Sequence, residues 1–310
     1  FAVTASVALR VVARLAVGST RPQRAVRLLV GGSFAATLAL GLTLSAVGLA
    51  VAGRAAPIAA LGQWSAPVLT VLVPVPAWIG IAAGVAAVTL GSAAVIRCVH
   101  IATALVKAET VSRQLRHGRG PVVLLHDDTV DAYTIAGVRG CVVIGAGLFD
   151  QLGPTERRVL LAHEFSHLRR RHHLYLHAVD LAAAANPLLR GMPDIVRLGI
   201  ERWADEDAVD ALDGDRRTVA LTLATVAQIK AASTSLTRPA VTTLAAAGTH
   251  LTQRVTALLT PCAKRLPAMI LLAGVAVTVA AMLASTVSAA QIQDRMEIAQ
   301  HAINPYHAPR

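Results

Sequence analysis

The sequence predicts a multi-span α-helical membrane protein with a small α+β domain inserted between its spans. Three observations predict it. Of 310 residues, 55% are hydrophobic and only 15% are charged, and the mean hydropathy is +0.57. The apolar residues come in runs. No charge occurs between Arg27 and Arg54, between Arg54 and Arg97, or between Arg265 and Asp294. A spanning helix needs about 20 apolar residues, so each run is long enough. Between the second and third runs, residues 97–267 have the length of one domain and mix short β-branched stretches with helical periodicity.

From the N-terminus, residues 1–17 are apolar except for Arg10 and Arg14. They read as the end of a span or as an amphipathic helix on the membrane surface. No A-x-A-like site follows, which argues against a cleaved signal peptide. Spans are expected near 29–52, 68–96 and 268–290. The excess in the second run, Pro57 to Pro67 with Gly62, Gln63 and Trp64, reads as a short external loop with an interfacial Trp. This gives an N-terminal membrane region 1–96, a domain 97–267, a last span 268–290 and a short tail 291–310. Burying three such helices in a soluble core would need a much larger protein.

The net charge of +11 has two explanations, nucleic acid or membrane. Its distribution favours the membrane. No Asp or Glu precedes Glu109, while Arg10, Arg14, Arg21, Arg24 and Arg27 lead into the first run. Residues 53–67 carry only Arg54. Arg97, Lys107, Arg113, Arg116 and Arg119 follow the second run, and Lys264 and Arg265 precede the third. Cationic loops stay on the cytoplasmic side. Residues 18–28 and 97–267 are therefore expected in the cytoplasm of a plasma-membrane protein, with the loop and the tail outside. No direct nucleic-acid contact is expected. Cys98, Cys141 and Cys262 fall on the cytoplasmic side and form no C-x-x-C, so free thiols are expected.

Within the domain, helix 99–116 continues from the membrane and stops at Gly118-Arg119-Gly120-Pro121. Runs 122–125, 132–137 and 141–147 read as strands, the last two joined in a hairpin across Arg139-Gly140. Gly145-Ala146-Gly147 is a turn. Gly153 and Pro154 open a helix, with Pro at its first position where no N–H is needed. About two turns in lies His163-Glu164-Phe165-Ser166-His167, an H-E-x-x-H. Residues four apart share a helix face, so His163 and His167 can reach one metal ion. Glu164 projects beside them, where it can hold a water. Zinc needs a third protein ligand. A second, antiparallel helix after the break at Asn186-Pro187 can bring Glu201, with Asp205 one turn on to accept a hydrogen bond from a ligand histidine. Trp203 reads as packing.

The order A-Y-T-x-x-G, V-V-I-G-A-G-L, L-G-P-T-E-R-R-V-L-L-A-H-E-F-S-H-L-R-R-R and E-R-W-A-D resembles the BlaR/MecR-type integral membrane metallopeptidases, in a short form without their sensor domain. The HtpX and CAAX-prenyl-protease type shares the H-E-x-x-H and E-x-x-A-D logic and is the near alternative. The resemblance covers 120 to about 220 closely. It implies a zincin-like (gluzincin) domain with one Zn2+ per chain on His163, His167 and Glu201. Glu164 becomes the general base and Asp205 the supporting carboxylate. Members often carry Asp where this chain has His172. The BlaR/MecR sensors end in a penicillin-binding domain, and about 20 residues after the last span leave no room for a β-lactam sensor. The implied activity is endoproteolysis of a cytoplasmic or membrane-proximal protein, such as a transcriptional repressor in a signalling pathway. The alternatives are HtpX-type membrane quality control and a non-catalytic signalling subunit with a structural zinc. The intact Glu164 argues against the last. The substrate is expected to add as a strand at Val142, Val143, Ile144 and Gly145. The oxyanion donor is left open among His172, His173, Arg216 and Arg217.

Overall fold

The computed structural model describes residues 2–16, 21–116, 120–126, 129–235, 241–260 and 265–302. Three helices are long and apolar enough to cross a membrane: Pro22–Ala52, Ala77–Arg116 and Met269–His301. They belong to α2 (Pro22–Ala52), α5 (Ala77–Arg116) and α12 (Arg265–His301). α1 (Ala2–Ala16) lies against α2 and α12. It buries Ala5, Leu9 and Ala13 and exposes Val3, Val7 and Val11. α2 and α5 meet at backbone distance. A Cβ on Gly48 would sit 2.7 Å from the Gly84 Cα, so only glycine fits that crossing.

The expected span 68–96 starts too early. α4 (Ala66–Leu72) ends before Pro74 and Pro76, and α5 begins at Ala77. A proline has no N–H to give the helix and clashes with the preceding turn, so the apolar run divides there. Arg54 donates to the carbonyls of Val73 and Val75 at this break. α3 (Ala56–Gly62) and α4 form the connection, where Trp64 Nε1 donates to Gly53 O at 2.7 Å. The last helix runs past 290 to His301 and holds the connection. Ser65 N–H donates to Ala299 O at 2.9 Å, and Arg295 Nη1 to Leu72 O at 2.8 Å.

The inserted part begins with β1 (Val122–Leu125), β2 (Ala132–Ile135) and β3 (Cys141–Gly145). β2 and β3 form the hairpin expected across Arg139-Gly140, and β1 runs parallel to β3. The strand order is β1-β3-β2, so β3 is central. Helices α6 (Ala146–Phe149), α7 (Pro154–Arg169), α8 (His172–Ala185), α9 (Met192–Asp210), α10 (Arg216–Ser235) and α11 (Val241–Leu259) follow. Gly153 precedes α7 with its N–H on Glu156 Oε2 at 2.8 Å. Asn186 breaks α8 from a 3-10 turn at Pro187–Leu189, and Gly191, at φ 88°, starts α9. Val142, Ile144, Leu148 and Leu160 join the sheet to α7, and Val159, Ala208, Val219 and Leu258 join α7, α9, α10 and α11.

The boundary drawn at 97 in the sequence does not separate two cores. Leu9, Val26 and Leu29 share one cluster with Val179, Ile200 and Trp203. The buried Asn186 Nδ2 donates to Ser6 Oγ at 3.0 Å, and Thr37 Oγ1 to Ala182 O at 3.2 Å. Apolar faces of α8 and α9 that the domain cannot cover by itself are covered by α1 and α2. Cys98 is exposed and Cys141 buried, both free thiols; Cys262 lies outside the described residues.

Candidate metal centre

α7 and α9 run antiparallel, and the side chains show it. Arg158 Nη2 donates to Ala211 O at 3.1 Å, His163 meets Asp205 and His167 meets Glu201. The result is one ligand atom from each of His163, His167 and Glu201, all within 4.8 Å of one another. His163 Nε2 and His167 Nε2 are 3.2 Å apart. Glu201 Oε2 lies 3.5 Å from His163 Nε2, and its Oε1 lies 3.7 Å from His167 Nε2. Two nitrogens bound at 2.0–2.1 Å to a tetrahedral zinc stand about 3.3 Å apart, and a nitrogen and an oxygen about 3.4 Å. The three side chains are spaced to hold such an ion with little movement.

Hydrogen placement points the same way. His163 Nδ1 is 3.0 Å from Asp205 Oδ1, and His167 Nδ1 is 3.1 Å from His172 Nδ1. Nδ1 of His163, buried and without an aligned hydrogen-bond partner, faces Asp205, and Nδ1 of His167 faces His172; a proton on each leaves both Nε2 atoms for the shared site. The Nε2···Nε2 contact then needs one further proton, on His163. Exchanging that proton for a divalent cation leaves every other hydrogen in place.

The electrostatics follow from burial and partners. Burial works against a charge on His163, but the Asp205 and Glu201 carboxylates outweigh it and raise its pKa to about 9. Burial and then the charge on His163 lower that of His167. Burial, then His167, pushes His172 down to about 3, so it is neutral. Asp205 is buried and Glu201 half-buried, and for both desolvation opposes ionisation, yet His163 and Arg254 hold them well below the usual carboxylate range.

Glu164 is buried beside the ligand face. Its Oε2 accepts from Thr134 Oγ1 of β2 at 2.8 Å, and its backbone carbonyl lies 3.0 Å from the same hydroxyl. A cavity of about 740 Å³ opens in front of it. Ala132, Tyr133 and Thr134 form one side, His163, Glu164, His167, Glu201 and Arg254 the floor, and Leu176, Leu223 and Val226 apolar walls.

Three sequence expectations change. Val142, Val143, Ile144 and Gly145 do not form an edge: β3 is central, both its sides are paired, and the strand is fully buried. The edge on the cavity is β2. His172 is not in the cavity. Arg171, in the left-handed region at φ 52°, reverses the chain between α7 and α8 and turns His172 behind His167, against Trp203 at 4.8 Å between ring centroids. Arg216 does not face the site either. It is paired with Glu206 through two contacts, 2.9 and 2.6 Å. His173 does line the cavity. Trp203 is fully buried, between Tyr175 and the guanidinium groups of Arg27 and Arg170.

Two residues were missed. Thr134 lay inside a quoted motif without a role. Arg254 donates to both Asp205 oxygens, at 2.8 and 2.6 Å, and sits 3.0 Å from Glu201 Oε2. It is the one charge in the α11 sequence. A single cation on an otherwise uncharged helix, in a domain with buried carboxylates on α9, was the available signal.

A membrane-associated metallopeptidase is the class that this fold and site define. A model of peptidase family M48 matches residues 104–286, more than half of the chain, and the chain belongs to that family. Its members typically use zinc. No curated protein and no solved structure matches.

Proposed function

We propose that the chain is a zinc endopeptidase of the gluzincin type that cuts membrane proteins close to the cytoplasmic face of the bilayer. The observation that carries the peptidase reading is Glu164 beside the His163–His167–Glu201 triad, all lining one cavity. These three side chains would hold the ion. Zinc in that position supplies a Lewis acid for the scissile carbonyl and a water acidified to about pKa 7.

The chain's own residues do the rest. Glu164 takes the water's proton on its free oxygen and delivers it to the leaving amine. Thr134 holds the other oxygen, so the carboxylate is aimed before substrate arrives. Asp205 orients His163, and Arg254 keeps Asp205 and Glu201 ionised. The exposed edge of β2 offers main-chain groups to an extended peptide, which would pair as a fourth strand. Val226 and Leu223 on the wall suit an apolar side chain of that peptide.

The position of the cavity favours a membrane substrate. Leu176 on its wall lies one helical turn, about 6 Å, from Asp180. Asp180 pairs at 2.6 Å with Arg97, the first charge after the uncharged run of α5. The arginine-rich segments on that side argue for a cytoplasmic domain. This supports the HtpX-type reading, with broad cleavage of membrane proteins. The family match gives the BlaR/MecR resemblance, and with it a repressor substrate, no separate support.

The test uses purified protein in liposomes with reporter membrane proteins whose unfolded segment lies next to, or far from, the bilayer. Wild type should cleave the near segment, and chelation should abolish it. Glu164→Gln should bind zinc and not cleave. Equal cleavage by wild type and Glu164→Gln would overturn the assignment. Cleavage of a single soluble regulator only would reinstate the repressor reading.

A further inference from the structure

α5 carries a pattern that its packing within one chain does not use. Gly80 and Ala83 are buried on its α2 side. On its free side, Trp78, Ile81, Val85, Val88, Val95, Val99 and Val106 are each 55–72% exposed. With the exposed Ser92 and Ala102, these positions advance in alternating steps of three and four along four heptads. Ile79 and Ile96 are the large exposed exceptions over the same stretch. Other exposed positions are mostly small or polar, such as Ala82, Thr89, Gly91 and Thr103.

Lipid asks only for an apolar surface and sets no period. A repeat of 3.5 residues is what one helix needs to keep a stripe on another as the two wind left-handed around each other. The stripe also outlasts the uncharged run. Past Arg97, Val99, Ala102 and Val106 carry it nine residues further, about 14 Å, to where hydrocarbon no longer covers it. It ends at Glu109, which is held by Arg113 at 2.7 Å and by the Val138 N–H at 2.7 Å.

We propose that two copies of this chain associate through α5, as a parallel, in-register helix pair from Trp78 to Val106. A second copy in the same bilayer has the same orientation, so each stripe residue meets its own counterpart across a two-fold axis. Identical chains tolerate no charge at such a seam. The flanking positions, Gly91, Cys98 and Leu105 on one side and Ala82, Thr89, Ile96 and Thr103 on the other, carry none; Gly84 is taken up by the crossing with α2. Arg97 falls on the far side of the helix from the seam. The seven large residues expose on the order of 800 Å², the area per partner of a standard interface. Small flanking residues permit close approach inside the bilayer, and the segment beyond Arg97 adds burial from water.

The test is disulfide cross-linking in isolated membranes, on the chain carrying Cys98→Ser, Cys141→Ala and Cys262→Ser, so that no native thiol remains. Single cysteines replace Val95, Val99, Ala102 and Val106 on the seam and Ala104 on the opposite side. Under mild oxidation the seam positions should give dimers several-fold more abundantly than Ala104→Cys. Each cysteine is first shown to be in place and reactive with a maleimide. Adding Val106→Glu to Val99→Cys should reduce its dimer band. No dimer at any reactive seam cysteine, equal dimer at all five, or a maximum at Ala104→Cys would overturn the proposal.

Discussion

Zinc uptake by the metal-free protein should expel a proton from His163, and its affinity should therefore depend on pH. His163 is nearly buried between Asp205 and Glu201, and its pKa is raised to about 9. At pH 7 the imidazole is protonated, and zinc must displace that proton. Each pH unit below the pKa costs about 1.4 kcal/mol. Two units amount to about 2.7 kcal/mol, roughly 100-fold in the dissociation constant. The dissociation constant, measured against a zinc-buffering chelator, should fall about tenfold per pH unit from pH 7 toward 9 and then level. Calorimetry in buffers of different ionisation heat should show close to one proton released per zinc at pH 7. Stability of the metal-free form follows with the opposite sense. A group whose folded pKa is raised stabilises fully below its unfolded value of about 6.5. That contribution is lost as pH rises through 9. A pH-independent affinity between 7 and 9, with no proton released, would refute the reasoning.

Other outcomes are specific. Arg254→Met removes the guanidinium from the buried Asp205 and the half-buried Glu201 and should cost about 3 kcal/mol in the metal-free protein; thermal unfolding with and without zinc measures it, and zinc should restore part of the loss. His172→Phe should weaken zinc binding about 10-fold by removing the partner of His167 Nδ1, and His172→Asp should restore it, read by chelator competition. Thr134→Val should lower kcat by about 10-fold with zinc content unchanged, because Glu164 loses its orienting donor. Gly48→Leu should destabilise the membrane region, since its first side-chain carbon already meets the Gly84 backbone; loss of the folded monomer in detergent chromatography checks it.

Much of the site was legible because helical spacing is rigid. An H-E-x-x-H on a capped helix fixes three side chains relative to one another, and His163, Glu164 and His167 stand together on α7. Glu201 and Asp205 share one face of α9, so either being near the triad brings the other. What spacing cannot show is order across a sheet. Val142–Gly145 belongs to the most buried strand because it is central, which is why it cannot serve as an open edge, while the equally apolar Val122–Leu125 lies at the rim of the sheet. His172 and Arg216 looked like free donors because sequence shows a charge but not its partner. Arg171 turns one away and Glu206 binds the other. The membrane runs were legible from charge, whereas the division at Pro74 and Pro76 was passed over within a run that looked continuous by hydropathy. The shared core of α1, α2, α8 and α9 has no sequence signature, because apolar residues on α8 fit either a soluble core or a membrane partner.

The most direct measurement is zinc-edge X-ray absorption on purified protein, wild type beside Glu201→Gln and Glu164→Gln. One zinc per chain is expected, with two imidazoles and oxygen ligands at about 2.0–2.1 Å. Glu164→Gln should leave that spectrum unchanged, and Glu201→Gln should alter or empty the site. A sulfur ligand, no zinc in the wild type, or a spectrum that changes with Glu164 and not with Glu201 would contradict it.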